Sequence, residues 1–210
     1  MNHLRIVTRN SNLALVQCDE VAALLPQVVI DLVPVLSLGD KDKNTSLMGE
    51  APADFFTREL DEALLNNEAD IAVHSAKDLP YPLREGLMVV ALLPAADQSD
   101  SLVGRQNLRL AELPLGATVG TSSKKRAGQL AALRPDLKIA SIRGTIEERI
   151  AQVDNGHVDA LIVATCALDR LGLRHRASEV LLFETHPLQG HLAVVAKKGN
   201  NEVEELFRGI

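Results

Sequence analysis

Aromatic residues are nearly missing from this 210-residue chain, which has no tryptophan, one tyrosine and four phenylalanines. Proteins that hold single-stranded nucleic acid stack its bases on aromatic side chains, so the scarcity argues against that role. Cysteine is scarce as well. Cys18 and Cys166 are too few to staple a chain of this length, which excludes a disulfide scaffold and fits a reducing compartment. No apolar run approaches the roughly 20 residues that a membrane helix needs. No signal-peptide pattern opens the chain, so the expected location is the cytoplasm, with no membrane partner. The six histidines have no metal-ligand spacing, and no metal is expected. Polar tracts are absent, and with 46% hydrophobic residues the chain is globular, long enough for one large domain or two small ones.

Positive charge is in short supply overall, with 22 Lys+Arg against 28 Asp+Glu and a net charge of -6. That balance argues against a general nucleic-acid binder. The charge is unevenly spread. Residues 1–100 hold 7 basic and 16 acidic side chains, whereas residues 101–210 hold 15 and 12. Within 121–150 there are 7 basic and 3 acidic groups. A local basic cluster in an acidic chain suits a small anionic ligand, although a solvated helix face has the same composition.

The apolar pattern alternates between strand-like and helix-like stretches. Strands are expected at Leu4–Thr8, Val28–Val35, Ile71–His74, Leu87–Leu93, Ser101–Val103, Thr118–Val119, Lys138–Ile142, Ala160–Ala164 and Leu192–Ala196. Helices are expected at Ser11–Leu25, Phe56–Asn67, from Ser123 to Leu133, at Thr145–Asn155, Ala167–Leu171 and Glu202–Phe207, with Gly39–Ala53 as a loop. This alternation means an α/β architecture. Residues 94–100 read as a crossing between two lobes, and the late strand reads as a return to the first. The expected division is 1–95 with 185–210, and 96–184. Two such lobes would form a cleft, where ligands usually bind. No internal repeat stands out.

Four short segments carry candidate chemistry. Thr8-Arg9-Asn10-Ser11 joins a strand to a helix, with Ser11 as a candidate N-cap and Arg9 as an anion ligand. An ordinary capped turn has the same residues. His74-Ser75-Ala76-Lys77-Asp78-Leu79-Pro80 follows an apolar strand, where α/β sites gather. Asp78 there is either half of an ion pair or a group that stabilises a developing cation or moves a proton. Gly120-Thr121-Ser122-Ser123-Lys124-Lys125-Arg126 puts hydroxyls and cations at a helix start, a cradle for carboxylate or phosphate that lacks P-loop spacing. Ser141-Ile142-Arg143-Gly144-Thr145 ends a strand, with Glu148 at capping-box distance from Thr145. Arg143 and Arg149 could face a ligand, or Arg149 could pair with acids on its own helix. Cys18 and Cys166 read as inert core thiols.

Taken in order, these segments resemble the porphobilinogen deaminase (hydroxymethylbilane synthase) family of tetrapyrrole and heme biosynthesis. The matching stretches are Arg5 to Leu15, Glu59 to Leu65, Asp70 to Pro80, Val119 to Ser123, Ile142 to Thr145 and Leu171 to Leu173. The His-Ser-x-Lys-Asp-x-Pro segment is the most specific of them. The resemblance runs from Leu4 to about Phe207. It implies two lobes of the type II periplasmic-binding-protein kind and a transferase that joins four porphobilinogen molecules head to tail, releasing ammonia each time. It implies that Asp78 is catalytic, holding pyrrole N–H groups and stabilising a cationic azafulvene-like intermediate. It implies carboxylate-binding roles for Arg9, Ser11, Lys77, Thr121, Ser122, Ser123, Lys125, Arg126, Arg143, Arg149 and Arg176, with Lys125 standing where the family usually has arginine. That change keeps the charge and loses the bidentate fork. The family's Gly-Lys-Gly loop is replaced here by Gly49-Glu50-Ala51-Pro52-Ala53-Asp54-Phe55-Phe56, which removes lysines and adds acids.

The resemblance also implies a dipyrromethane cofactor, carried in the family by a cysteine of a third, C-terminal domain. This sequence ends before that domain, and neither Cys18 nor Cys166 occupies the matching position. A short or truncated member is therefore expected, a monomer that binds porphobilinogen and no nucleic acid, with a face that a partner could cover. The alternative reading is a non-enzymatic two-lobed binder of a small polycarboxylate or tetrapyrrole precursor.

Overall fold

A computed structural model describes residues 2–49 and 51–210. Glu50, one of the acids in the altered loop, lies outside the described residues. The chain runs through β1 (His3–Arg9), α1 (Asn12–Ala22), β2 (Val29–Val35), α2 (Leu38–Lys41), α3 (Arg58–Leu65), β3 (Ile71–Ser75) and β4 (Leu87–Leu92). It continues through β5 (Asp100–Gly104), β6 (Thr118–Thr121), α4 (Lys124–Leu133), β7 (Lys138–Ser141), α5 (Ile146–Asp154), β8 (Ala160–Ala164), α6 (Thr165–Arg170) and β9 (Glu179–Leu181). It closes with β10 (Leu192–Lys197) and α7 (Asn201–Leu206).

These elements form two compact units. Unit 1 comprises residues 1–42, 53–96 and 190–210, and unit 2 comprises 43–52 and 97–189. Each is built on a five-stranded sheet, in the order β2-β1-β3-β10-β4 in unit 1 and β7-β6-β8-β5-β9 in unit 2. In unit 1, β2, β1 and β3 are parallel, and β10 runs antiparallel between β3 and β4. In unit 2, β7, β6 and β8 are parallel, and β5 runs antiparallel between β8 and β9. Both units are mixed α/β, as the alternating pattern predicts, and the late strand does rejoin the first sheet.

Both faces of each sheet are covered. In unit 1, Leu4, Ile6, Ile71, Val73, Leu192 and Val194 face α1 and α7 in one apolar cluster. Val7, Ala72 and Val195 face Leu60, Ala63 and Leu64 of α3 in a second. Strands buried on both faces read as continuous apolar runs, which is why Leu192–Ala196 is so apolar. Unit 2 has the same arrangement, with Leu130 of α4 on one face of its sheet and Ile150 and Val153 of α5 on the other.

Some elements differ from expectation for identifiable reasons. In α1 the buried stripe is Ala14, Gln17, Cys18 and Val21, at helical spacing, so a glutamine occupies a core position. The expected loop at Gly39–Ala53 begins with a helical turn, α2, closed by a capping box between Ser37 and Asp40. Helix α3 is shorter than Phe56–Asn67, because Asn67 adopts a left-handed φ of 59° that ends it. Strand β9 is only three residues long, too short to show an alternating pattern in the sequence. No helix of the described residues is long and apolar enough to cross a membrane.

Candidate active site

The C-terminal ends of the parallel strands carry the candidate residues in each unit. In unit 1, β3 leads directly into a 3-10 turn at Ala76–Asp78. The turn is pinned from two sides. Gln17 Nε2 donates to Ser75 Oγ at 2.9 Å, and the Ala76 amide donates to the His191 carbonyl at 3.0 Å. Asp78 stands at the end of this braced turn. It is exposed, and no hydrogen bond or ion pair among the described residues engages its carboxylate. Lys77 is half-buried beside it. His74, in β3 just before the turn, is buried, and its Nε2 has no hydrogen-bond partner among the described residues. Burial, followed by the charge of Arg9, pushes its imidazole down to about 4.

Arg9 ends β1. Its guanidinium grips both oxygens of Asp40 and lies 4.4 Å from the centre of the Phe56 ring. Gly39 makes this possible, since a Cβ there would collide with that ring. Burial raises the Asp40 carboxyl, but hydrogen bonds from Arg9 and Ser37 outweigh it and hold the group below its ordinary value. Ser11 is the N-cap of α1, accepting from the Ala14 amide at 3.3 Å. Asp54, another acid of the altered loop, is tied to Arg58 by hydrogen bonds of 2.7 and 2.9 Å.

In unit 2, β6 turns into α4 through Thr121, Ser122 and Ser123. Their hydroxyls build the turn itself. Thr121 Oγ1 accepts from the Ser123 amide at 3.2 Å. Ser122 Oγ donates to the Ile142 carbonyl at 2.5 Å, and Ser123 caps α4. The cations that follow oppose the helix dipole, and two of them are matched to acids. Lys125 Nζ lies 2.9 Å from Glu184. Arg126 forms a bidentate pair with Asp100, at 2.8 and 2.6 Å. That pair is buried, with side-chain exposures of 13% and 2%, and Gln189 completes it by donating to Asp100 Oδ1 at 2.7 Å.

Arg143 follows β7 and is half-buried. Next to it, Gly144 has a φ of 106°, and a Cβ there would meet Glu148 Oε2 at 2.6 Å, so the turn requires glycine. Thr145 then caps α5 in a capping box with Glu148, as the spacing predicts. Arg149 Nε donates to the Gly144 carbonyl at 2.8 Å. A cavity of about 590 Å3 opens here, lined in part by Ser141, Arg143, Gly144 and Gln152. Arg176 is elsewhere. It pairs with Asp154 at 2.5 Å, at the far end of α5, about 9 Å along the axis from Glu148 at 1.5 Å rise per residue.

The structure thus places Arg143, Arg149 and Ser122 around one turn of unit 2, and Asp78 and Lys77 on one turn of unit 1. Arg9, Lys125, Arg126 and Arg176 are each matched to an internal carboxylate. Sequence reasoning missed Gln17, Asp40, Asp100 and Gln189. Only Gln17 left a sign, a polar side chain at a core position of an apolar helix.

Residues 4–205 match the family model described as porphobilinogen deaminase, dipyromethane cofactor binding domain. The chain belongs to the porphobilinogen deaminase family. A porphobilinogen deaminase of Stenotrophomonas maltophilia is 41% identical over 100% of this chain and 72% of its own length. One from Xanthomonas oryzae is 41% identical over 99% of this chain and 70% of its own length. The Legionella pneumophila enzyme is 36% identical over 99% and 69%. Among solved structures, the periplasmic VFT2 domain of BvgS from Bordetella pertussis superposes with a TM-score of 0.57 at 16% identity, covering 98% of this chain and 85% of that one. An ancestral arginine-binding protein bound to arginine gives 0.54 at 13% identity, covering 99% and 89%. These likenesses fix the fold as the two-unit, type II periplasmic-binding-protein kind.

Proposed function

We propose that this member of the porphobilinogen deaminase family is a hydroxymethylbilane synthase, joining four porphobilinogen molecules head to tail with loss of ammonia at each step, in the cytoplasm. The observation that carries this reading is the Asp78 carboxylate, exposed and without a partner among the described residues, on a turn braced by Gln17 and His191. In each step the C–N bond of the substrate's protonated aminomethyl arm breaks, and the nitrogen keeps the bonding pair and leaves as ammonia. The electron pair that supports this departure comes from the pyrrole ring, which becomes cationic. Asp78 accepts the pyrrole N–H as a charge-assisted hydrogen bond and meets the growing positive charge with its own negative one. A new C–C bond then forms to the unsubstituted ring carbon of the neighbouring pyrrole, whose proton is released.

The substrate carries two carboxylates, and cations must hold them. Arg143, Arg149 and Lys77 are proposed for this work. Arg9, Lys125, Arg126 and Arg176 are proposed alongside them, each exchanging an internal acid for a substrate carboxylate, Arg126 least readily because its partner is buried. Ser11, Thr121, Ser122 and Ser123 act by shaping the two turns. Porphobilinogen is therefore the proposed small-molecule partner.

The dipyrromethane group supplies, when bound, the primer to which the first pyrrole joins. The residues present fit its carboxylates through Arg143 and the cavity beside it. They do not fit a thioether to this chain's own cysteines. Cys18 is fully buried, and burial pushes its thiol up to about 11 against a hydrogen bond with Thr8 that lowers it. Cys166 is buried too.

The test is ammonia release from porphobilinogen by the purified chain supplied with preformed dipyrromethane, alongside Asp78→Asn. Release that is lost in Asp78→Asn is the expected result. No release from the parent chain, with porphobilinogen still bound, would overturn the enzymatic reading and leave the polycarboxylate binder.

A further inference from the structure

The cavity in unit 2 is lined by a second cation besides Arg143. Lys43 reaches it from the segment 43–52, which belongs to unit 2 although unit 1 precedes and follows it in the chain. Lys43 Nζ lies 2.6 Å from Glu148 Oε1, and both side chains are about half exposed, at 56% and 47%. The other oxygen of Glu148 is engaged by the Thr145 amide at 2.8 Å. Hydrogen bonds from Lys43 and then Thr145 hold the Glu148 carboxyl below its ordinary value.

Further along the segment, Ser46 Oγ is 3.3 Å from Ser141 Oγ. Gly49, with a φ of +112°, lies so close to the Lys124 side chain that a Cβ would collide with its Nζ. The segment therefore touches the start of α5, the end of β7 and the start of α4 in turn. That is the rim of unit 2 where strand ends and helix starts collect, and where α/β folds bind anions.

Glu148 already shows what Lys43 accepts at the cavity, a carboxylate at 2.6 Å. An exposed Lys–Glu pair contributes little and is easily exchanged. A ligand carboxylate held by two cations at once makes stronger, charge-assisted hydrogen bonds. We propose that Lys43 is a ligand-binding residue of unit 2, kept in place by Glu148 until a carboxylate of a polycarboxylate ligand displaces Glu148 and is held by Lys43 and Arg143 together. This rests on the reading of unit 2 as the part that grips substrate carboxylates, but it is testable through binding alone.

A purely structural ion pair makes a different prediction, because breaking it from either side has the same effect. Calorimetric titration of the full chain with citrate, a small tricarboxylate, and with porphobilinogen separates the two. Lys43→Gln removes the cation and weakens binding about tenfold. Glu148→Gln removes the competing charge and tightens binding about threefold. Glutamine still serves in a capping box, so α5 keeps its start, and matching thermal melts check that both variants fold. Lys43→Arg restores binding. Shifts in the same direction for Lys43→Gln and Glu148→Gln, or affinities unchanged in both, overturn the proposal. So does failure of the parent chain to bind either ligand at millimolar concentration. Turnover bears on Asp78 and not on this sign pattern, so the two readings fail separately.

Discussion

In unit 1, β3 hands over to a 3-10 turn that lifts the Asp78 carboxylate to the surface. At the corresponding place in unit 2, β8 hands over to α6, and its first residue, Thr165, is fully buried. Thr165 Oγ1 lies 2.7 Å from the hydroxyls of both Ser99 and Ser101. The two units share one strand order and one pattern of parallel and antiparallel neighbours. Their first parallel strands, β1 and β6, both lead into a helix capped by serine, Ser11 or Ser123. The same scaffold therefore offers an acid with no partner among the described residues in one unit and, in the other, cations around a cavity. Chemistry follows the residues placed on the turns, not the topology beneath them.

The largest effect that sharpens this contrast is at Asp78. Asp78→Asn keeps the shape and removes the charge, and should lower the rate of ammonia release by about 10²–10³. Release at the parent rate would remove unit 1's claim to the chemistry. In unit 2, Arg126 of the basic segment is paired with buried Asp100. Arg126→Ala leaves Asp100 buried without its partner and should cost about 3–5 kcal/mol of stability in chemical denaturation. An unchanged unfolding midpoint would show that Gln189 alone satisfies Asp100. Smaller still, Thr165→Val takes away the partner of the buried Ser101 hydroxyl, while Ser99 keeps Asp97. It should cost about 1–3 kcal/mol and leave ammonia release untouched, the reverse of Asp78→Asn.

The smallest effects concern pH, and they too separate the units, since His74 and Asp61 both lie in unit 1. His74 is pushed down to about 4, so the folded chain refuses a proton that the unfolded chain takes near 6.5. Its contribution is full above pH 6.5 and is lost as pH falls toward 4. Asp61 is pushed up to about 6, chiefly by burial. The folded chain keeps that proton where the unfolded chain gives it up, so Asp61 weakens the fold as pH rises from about 4 to 6. The two slopes oppose each other between pH 4 and 6. Asp61→Asn removes one of them. Its melting temperature should exceed the parent's at pH 7.5 and fall more steeply on acidification. A parallel pair of melting curves would contradict this.

Much of this division is legible in the sequence. The Asp70 to Pro80 stretch reads as a strand followed by a polar turn, and the Thr145–Glu148 box announces the start of α5. The repeat of the fold is not legible, because it lies in the order of elements and not in their residues. Partnership is also hidden. The run Lys124-Lys125-Arg126 reads as one cradle, yet Lys125 and Arg126 are matched by Glu184 and Asp100, both far along the chain. Lys43 reads as an ordinary loop lysine until the fold brings it to Glu148, 105 residues away.

The central proposal, that Asp78 serves the chemistry and Arg143 the grip on substrate carboxylates, is tested most directly by measuring porphobilinogen affinity and ammonia release side by side in Asp78→Asn and Arg143→Gln. The account predicts that Asp78→Asn binds like the parent and releases almost no ammonia, while Arg143→Gln binds more weakly and regains release when substrate is raised. Loss of affinity in Asp78→Asn with parent-like binding in Arg143→Gln would contradict it.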